Sequence, residues 1–362
     1  MYFLDASVSN PRRRQLILYK SEETYLSRGI GTLTIDIHGL IKVAVPSEKT
    51  FRFFFNRFSR DFDPREADLF VAKLDAIEVP VEARRAGVYY IGNKEVYMKR
   101  KFGCIALKNM GGKTELLYSG LVDRLYPILN LVRDVVWFKL IRKEYTFLHS
   151  SSVELNGKCL LVTGWLGAGK TMVALKLIKE KGASFLADDL VIVGADGKAY
   201  AYPIPLKLSL AHASVFNVFP PGVLIKLHAG ELLSKVPVIR RKVELVHYAS
   251  IEEVIPGSQI ASCADISYVF VIRKARNEYL KEIEKEDLVR VLVHQAMWER
   301  IFWVDRLFIQ YAFSDPGFDL VRLSEEERRI VNNAISKAEV FEVGYKKYAS
   351  ESILNALDKL GL

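Results

Sequence analysis

Eight consecutive residues, Gly164-Trp165-Leu166-Gly167-Ala168-Gly169-Lys170-Thr171, fill every required position of the pattern G-x-x-x-x-G-K-[ST]. The chemistry of that pattern is the capture of a nucleotide's phosphates. Its glycines let successive backbone N–H groups converge on phosphate oxygens, and a helix that follows directs the positive end of its dipole at the same anion. In this reading Gly164, Trp165, Leu166, Gly167, Ala168, Gly169 and Met172 line the nucleotide cradle. Lys170 bridges the β- and γ-phosphates, and the Thr171 hydroxyl is an oxygen ligand for Mg2+. Average residue usage puts the four fixed positions together by chance in roughly one chain in a hundred of this length, so the flanks decide. Lys158-Cys159-Leu160-Leu161-Val162-Thr163 is a short apolar run suited to a buried strand, and Met172 to Ile178 has helical apolar spacing. Strand, loop and helix therefore come in the order the pattern requires.

A second constellation lies in Leu186-Ala187-Asp188-Asp189-Leu190-Val191-Ile192-Val193, where two acids interrupt an apolar, β-branched run. Ser184-Phe185-Leu186 is expected to enter the sheet beside the phosphate-loop strand and deliver the acids to the loop's mouth, where ligands of open α/β sheets bind. Neighbouring side chains on a strand point to opposite faces, so one acid is expected to serve chemistry and the other the metal or the loop.

Residues 147–207 resemble the catalytic domain of the HPr serine kinase/phosphorylase family and its HPr-kinase-related homologues. The likeness rests on Leu148-His149-Ser150-Ser151-Ser152-Val153-Glu154-Leu155, on Asn156-Gly157-Lys158, on the phosphate loop and on Leu186-Ala187-Asp188-Asp189. It implies an α/β P-loop kinase domain of the HPr kinase/PEP-carboxykinase-like type, using ATP as co-substrate with Mg2+. It further implies that Asp188 is the base for an acceptor hydroxyl, that Asp189 supports it and holds Mg2+ with Thr171, and that His149 orients Asp188 or an acceptor phosphate near Lys170. Trp165-Leu166 replaces the Asp-Ser pair usual in members that act on HPr, and the family's second signature segment has no counterpart here. These departures point away from HPr as acceptor and away from phosphorolysis.

The elements that must position these residues occupy a 362-residue chain, long enough for two domains. A β-rich α+β N-terminal module is expected over 1–142 and the catalytic domain over 143–362. In the first, Thr32 to His38 and Ile41 to Val45 alternate as a hairpin, and short strands are expected at 88–91, 95–98, 104–107 and 115–118. A helix is expected from Leu121 to Ile141, with Pro127 marking a kink or its start. Beyond the acids, Tyr268 to Ile272 reads as a strand, and Glu286 to Trp298 and Glu325 to Ala338 as helices. Arg240, Arg241 and Lys242, with Lys235 nearby, form a basic segment suited to a substrate phosphate.

The net charge of +9 carries no RNA-binding aromatic signature or recognition-helix pattern around Arg12-Arg13-Arg14 or Lys99-Arg100-Lys101, so no nucleic-acid partner is expected. No apolar stretch reaches the roughly 18 residues of a membrane span, and no secretory leader is evident, so a cytoplasmic protein without a membrane partner is expected. Cys104, Cys159 and Cys263 lack metal-ligand spacing and are expected to be buried, reduced thiols. The expected activity is transfer of the γ-phosphoryl of ATP to a Ser/Thr-type hydroxyl on a peptide, protein or small metabolite. The alternatives are a regulatory or assembly ATPase or GTPase without phosphotransfer, and a kinase for a free amino acid or sugar. A homo-oligomer is compatible with either class.

Overall fold

The computed structural model describes residues 31–121, 128–213, 221–234, 247–301 and 305–362. Arg12 to Arg14, Pro127, Lys235 and the basic segment Arg240 to Lys242 lie outside the described residues. The fold is mixed α/β, with two large sheets and a two-stranded one. The chain forms two compact units, one of Met1–Val136 with Arg306–Phe318, the other of Trp137–Asp305 with Asp319–Leu362. That division falls at Val136/Trp137, and the roles assigned to 1–142 and 143–362 remain proposals.

The first unit is built on eight strands, β1 (Thr32–Ile37), β2 (Ile41–Pro46), β3 (Leu69–Leu74), β4 (Arg84–Ala86), β5 (Tyr89–Ile91), β6 (Glu95–Arg100), β7 (Gly103–Lys108) and β8 (Thr114–Ser119). Their order is β1-β2-β3-β8-β7-β6-β5-β4. The hairpin of β1 and β2 and the antiparallel run from β5 to β8 follow the alternation of apolar residues. β3 enters between β2 and β8, parallel to both, and its nearly continuous apolar run Leu69-Phe70-Val71-Ala72 is buried throughout. The late segment of this unit carries the helix Asp305–Ser314, from which the Tyr311 hydroxyl accepts the Met110 N–H at 2.9 Å. Tyr311 packs edge-on against Phe318, with ring centroids 5.2 Å apart.

The second unit holds strands β9 (Tyr145–Leu148), β10 (Ser151–Leu155), β11 (Lys158–Gly164), β12 (Ser184–Ala187), β13 (Val191–Gly194), β14 (Lys198–Tyr200), β15 (Leu206–Leu208), β16 (His247–Ala249), β17 (Cys263–Lys274), β18 (Tyr279–Glu282) and β19 (Glu339–Tyr345). β11, β17 and β19 run parallel at the centre; β10 lies antiparallel beside β11, and β12 antiparallel beside β10. The amino end of β17 turns instead to β14, β13 and β9. Sequence reasoning expected β12 directly beside β11. β10 lies between them, because Asn156-Gly157 closes a tight antiparallel hairpin on β11 first.

Helix α1 (Ile128–Ile141) contains the boundary between the units. α2 (Lys170–Lys181) starts from the phosphate loop and ends on Gly182 in the left-handed conformation. α3 spans Lys285–Ile301, α4 Leu320–Ala334 and α5 Ala349–Leu360. α4 begins five residues before the expected Glu325 and stops before Ala338. Asp319 caps it by accepting the N–H groups of Val321 and Arg322, which fixes the start. The core under the site packs Val173, Leu177 and Ile178 of α2 and Ile353 and Leu357 of α5 on Leu160, Val162, Phe270 and Val343 of the sheet. On the far side the fully buried Glu327 carboxylate accepts bonds from Trp137 Nε1 at 2.8 Å and Thr146 Oγ1 at 2.6 Å, tying α4 to β9.

Candidate nucleotide and phosphoryl-transfer site

β11 ends at Gly164 and α2 begins at Lys170, so Trp165 to Gly169 form the connecting loop. Two glycines are explained by geometry. A Cβ on Gly164 would lie 2.7 Å from the carbonyl oxygen of Ile272, because β17 runs against the loop's first residue. Gly169 holds φ 97°, the left-handed turn that lets the chain enter α2, where the Val173 N–H reaches the Gly169 carbonyl at 3.0 Å. The Lys170 side chain is 8% exposed and folds back over the loop, donating to the carbonyls of Gly164 at 3.0 Å and Trp165 at 3.4 Å. Trp165 and Leu166 stand at the tip, 82% and 89% exposed. Met172, half-buried at the start of α2, packs against the core.

The acids do not sit inside a strand as expected. β12 ends at Ala187 and β13 starts at Val191, leaving Asp188, Asp189 and Leu190 in a turn with Asp189 at φ 68°, a left-handed position that Asp tolerates. The partner strands break at the same level, since Leu148 pairs with Val191 on one side and Ser152 with Ala187 on the other. The ladder therefore opens across residues 149–151 and 188–190, and His149, Ser151, Asp188 and Asp189 all arise from that opening.

Asp188 is 5% exposed and accepts three hydroxyl contacts, two from Thr171 Oγ1 at 3.0 and 2.9 Å to its two oxygens and a short one from Ser151 Oγ. Burial pushes its carboxyl up to about 6, aided by the Asp189 charge and opposed by the Ser151 and Thr171 hydroxyls and by Lys170. Asp189 turns outward, its side chain 56% exposed, with Oδ1 3.3 Å from Nδ1 of the buried His149. The structure thus brings Lys170, Thr171, Asp188, Asp189 and His149 to one end of β11, and the two acids point apart because they share a turn with Asp189 in the left-handed conformation, not because they alternate along a strand.

Two contributors escaped sequence reasoning. Ser151 stood in the quoted serine run with no role attached. Gln295, on α3, donates to the Gly164 carbonyl at 3.1 Å and lies 3.3 Å from Thr163 Oγ1, bracing the last turn of β11 before the loop. It comes from 131 residues downstream, and a lone glutamine on a helix carries no local signal.

The donor set around Thr171 fits a magnesium ion. The Thr171 hydroxyl and the Asp188 carboxylate in contact with it are hard oxygen ligands, and Mg2+ binds through one or two carboxylates plus substrate phosphates. Among the described residues no cluster of three or more His, Cys, Asp or Glu exists that would form a self-sufficient metal cage. Ser150 Oγ, in the same opening, is buried with no hydrogen-bond partner among the described residues. Away from the site, Cys104 and Cys159 are buried while Cys263 is exposed, against expectation, and burial raises the Cys104 thiol to about 11. No described helix is long and apolar enough to cross a membrane.

No family model matches this chain, and no curated protein matches it. Among solved structures, the Hpr(Ser) kinase/phosphatase from Coxiella burnetii aligns over 60% of this chain and 99% of that chain, with 8% identity and a TM-score of 0.26. So loose a superposition carries no functional weight, and the reading below rests on residues of this chain.

Proposed function

We propose that the protein is a nucleotide-dependent phosphotransferase that moves the γ-phosphoryl of ATP to a hydroxyl of a peptide, protein or small metabolite. The observation that carries this reading is the buried Asp188 carboxylate, bonded to the phosphate-loop hydroxyl Thr171. Loop amides and the start of α2 bind the phosphates, and Lys170 leaves its carbonyl partners to neutralise charge on the transferring group. Mg2+ would be held by Thr171 with an acid and would neutralise charge on the phosphate oxygens. Asp188, raised towards neutrality by burial, takes the acceptor's proton. The acceptor oxygen forms a bond to the γ-phosphorus as the bond to the nucleoside diphosphate breaks. Positioning and electrostatics account for the catalysis. In the resemblance to HPr kinases His149 lies beside this step, and its contact with Asp189 supports an orienting role.

A second assignment of the two acids has its own support. Thr171 contacts Asp188 alone of the pair, which suits Asp188 to the metal, while Asp189 with His149 forms an accessible carboxylate–imidazole couple suited to proton transfer.

The test is incubation of the protein with Mg2+ and γ-labelled ATP against a fractionated extract from its own source. Label in a protein or metabolite fraction, lost with Asp188→Asn while nucleotide still binds, supports the proposal. Loss with Asp189→Asn but retention with Asp188→Asn moves the base to Asp189. Label found solely as free phosphate replaces the proposal with a nucleotide-driven switch.

A further inference from the structure

The phosphate loop has two flanks that differ in chemistry. On one side of β11, β10 and β12 bring Ser151 and Asp188 to the loop. On the other side, β17 and β19 run parallel to β11 and end at the same level, with Gly164 opposite Ile272 and Lys274 opposite Tyr345. The Ala275 N–H donates to the Tyr345 carbonyl at 2.8 Å, joining the two exits. The segments that leave these strands carry the exposed cations Lys274, Arg276, Lys346 and Lys347, against the exposed acids Glu278 and Glu351. None of the four cations has an ion-pair partner among the described residues.

Tyr348 closes this flank. It is the residue before α5 and 52% exposed, and the Lys347 ammonium lies 5.1 Å from its ring centroid. The next residue, Ala349, is packed so close to the loop that its Cβ would lie 3.8 Å from a Cβ on Gly169. Tyr348, one residue before Ala349, is thereby anchored by its main chain near the junction of loop and helix, on the flank of β17 and β19, with its ring exposed. The γ-phosphate of a bound nucleotide has to face the acids, so its nucleoside end leaves past the opposite flank, at the carboxyl ends of β17 and β19 where ligands of parallel sheets sit.

We infer that Tyr348, with Lys347 beside it, is the platform on which the purine base of the nucleotide stacks, so that this flank selects a nucleotide over a bare polyphosphate. The inference rests on the proposed nucleotide-binding role of the loop. Every base offers a π-face to an aromatic ring, so stacking holds ATP and GTP alike and leaves base discrimination weak.

The experiment measures Kd for Mg-ATP, Mg-GTP and Mg-tripolyphosphate with the full chain and with Tyr348→Ala and Tyr348→Phe. Tyr348→Ala is expected to weaken both nucleotides by at least about five-fold, as loss of one aromatic–base stack does. Tripolyphosphate, which has no base, stays within about two-fold, and retained tripolyphosphate binding also shows the variant to be folded. Tyr348→Phe keeps the ring and stays near the native value for all three. Unchanged ATP and GTP binding by Tyr348→Ala overturns the platform and leaves the phosphate loop's role standing. Equal weakening of tripolyphosphate and nucleotide also overturns it, since the effect is then not on the base. If the native chain binds neither nucleotide nor tripolyphosphate, the nucleotide reading itself fails.

Discussion

The hydroxyl of Thr171 lies within hydrogen-bond reach of both carboxylate oxygens of Asp188, at 3.0 and 2.9 Å, although the two residues belong to different elements, the first turn of α2 and the turn after β12. The contact joins the residue that ends the phosphate-binding pattern to a carboxylate buried at the far side of β10. In the proposed function, phosphate binding and proton chemistry would therefore share one hydroxyl.

The pH dependence of turnover follows from burial of Asp188. In its proposed role as base Asp188 has to be deprotonated to act, and burial pushes its carboxyl up to about 6. Turnover at saturating nucleotide is expected to fall about ten-fold per pH unit below that value and to level off above it. A rate profile flat down to about pH 4, the ordinary carboxylate range, removes Asp188 from the proton-transfer step.

The same shift has a consequence for stability, with the opposite pH preference. Because the folded-state value is raised from 3.8 to about 6, the folded state holds the proton more tightly than the unfolded chain. This group's contribution is thus most favourable below about pH 4 and is lost as pH climbs through 6. Asp188→Asn cannot ionise and escapes that loss. The unfolding free energy of the variant relative to the native protein should rise by on the order of 3 kcal/mol between about pH 3 and pH 7, read by denaturant titration at each pH. A constant difference across the range contradicts the raised value.

Gly164 and Gly167 should respond differently to alanine. At Gly164 the new methyl meets the Ile272 carbonyl at 2.7 Å, a backbone atom that cannot swing aside. Gly164→Ala is expected to cost about 2 to 3 kcal/mol of stability, as an overpacked site does, and to lose nucleotide binding. At Gly167 nothing lies within 4 Å and the strain comes from φ 76° alone, so Gly167→Ala should cost about 1 to 2 kcal/mol. Thermal melts of the two variants rank the effects.

Gln295 braces the loop from outside the motif. Gln295→Ala removes the donor to the Gly164 carbonyl and the contact with Thr163. A stability loss of about 1 kcal/mol is expected, with nucleotide Kd raised several-fold and the pH profile unmoved. A shifted pH profile instead indicates that Gln295 acts on the proton-transfer group.

What could be read from residues alone was what is encoded locally. The strand before Gly164 and the helix after Lys170 follow from apolar spacing within a few residues of the motif, as do the hairpin of β1 and β2 and the run from β5 to β8. The double aspartate stood out as two charges in an apolar run, but not as a turn. Its apolar neighbours on both sides imitate one continuous strand, and the break shows only when β9 and β10 are seen to part at the same level. Gln295 reaches the loop, and Ser151 reaches Asp188, through contacts between segments distant in the chain, which no spacing rule encodes. β3 was missed for a related reason, since its place between β2 and β8 is set by parallel pairing across long connections.

The first unit takes one of its members from far down the chain. Tyr311 is fully buried, bonds the Met110 main chain and packs on Phe318, and these residues are separated from Val136 by the whole run that supplies β9 to β18. During synthesis, residues 31–121 leave the ribosome long before the segment that completes their core. The bond to Met110 and the packing of Tyr311 on Phe318 therefore form only after most of the other unit is made. Order of manufacture and order of completion are inverted in this chain, since the first unit to be begun is closed by one of the last segments to be made.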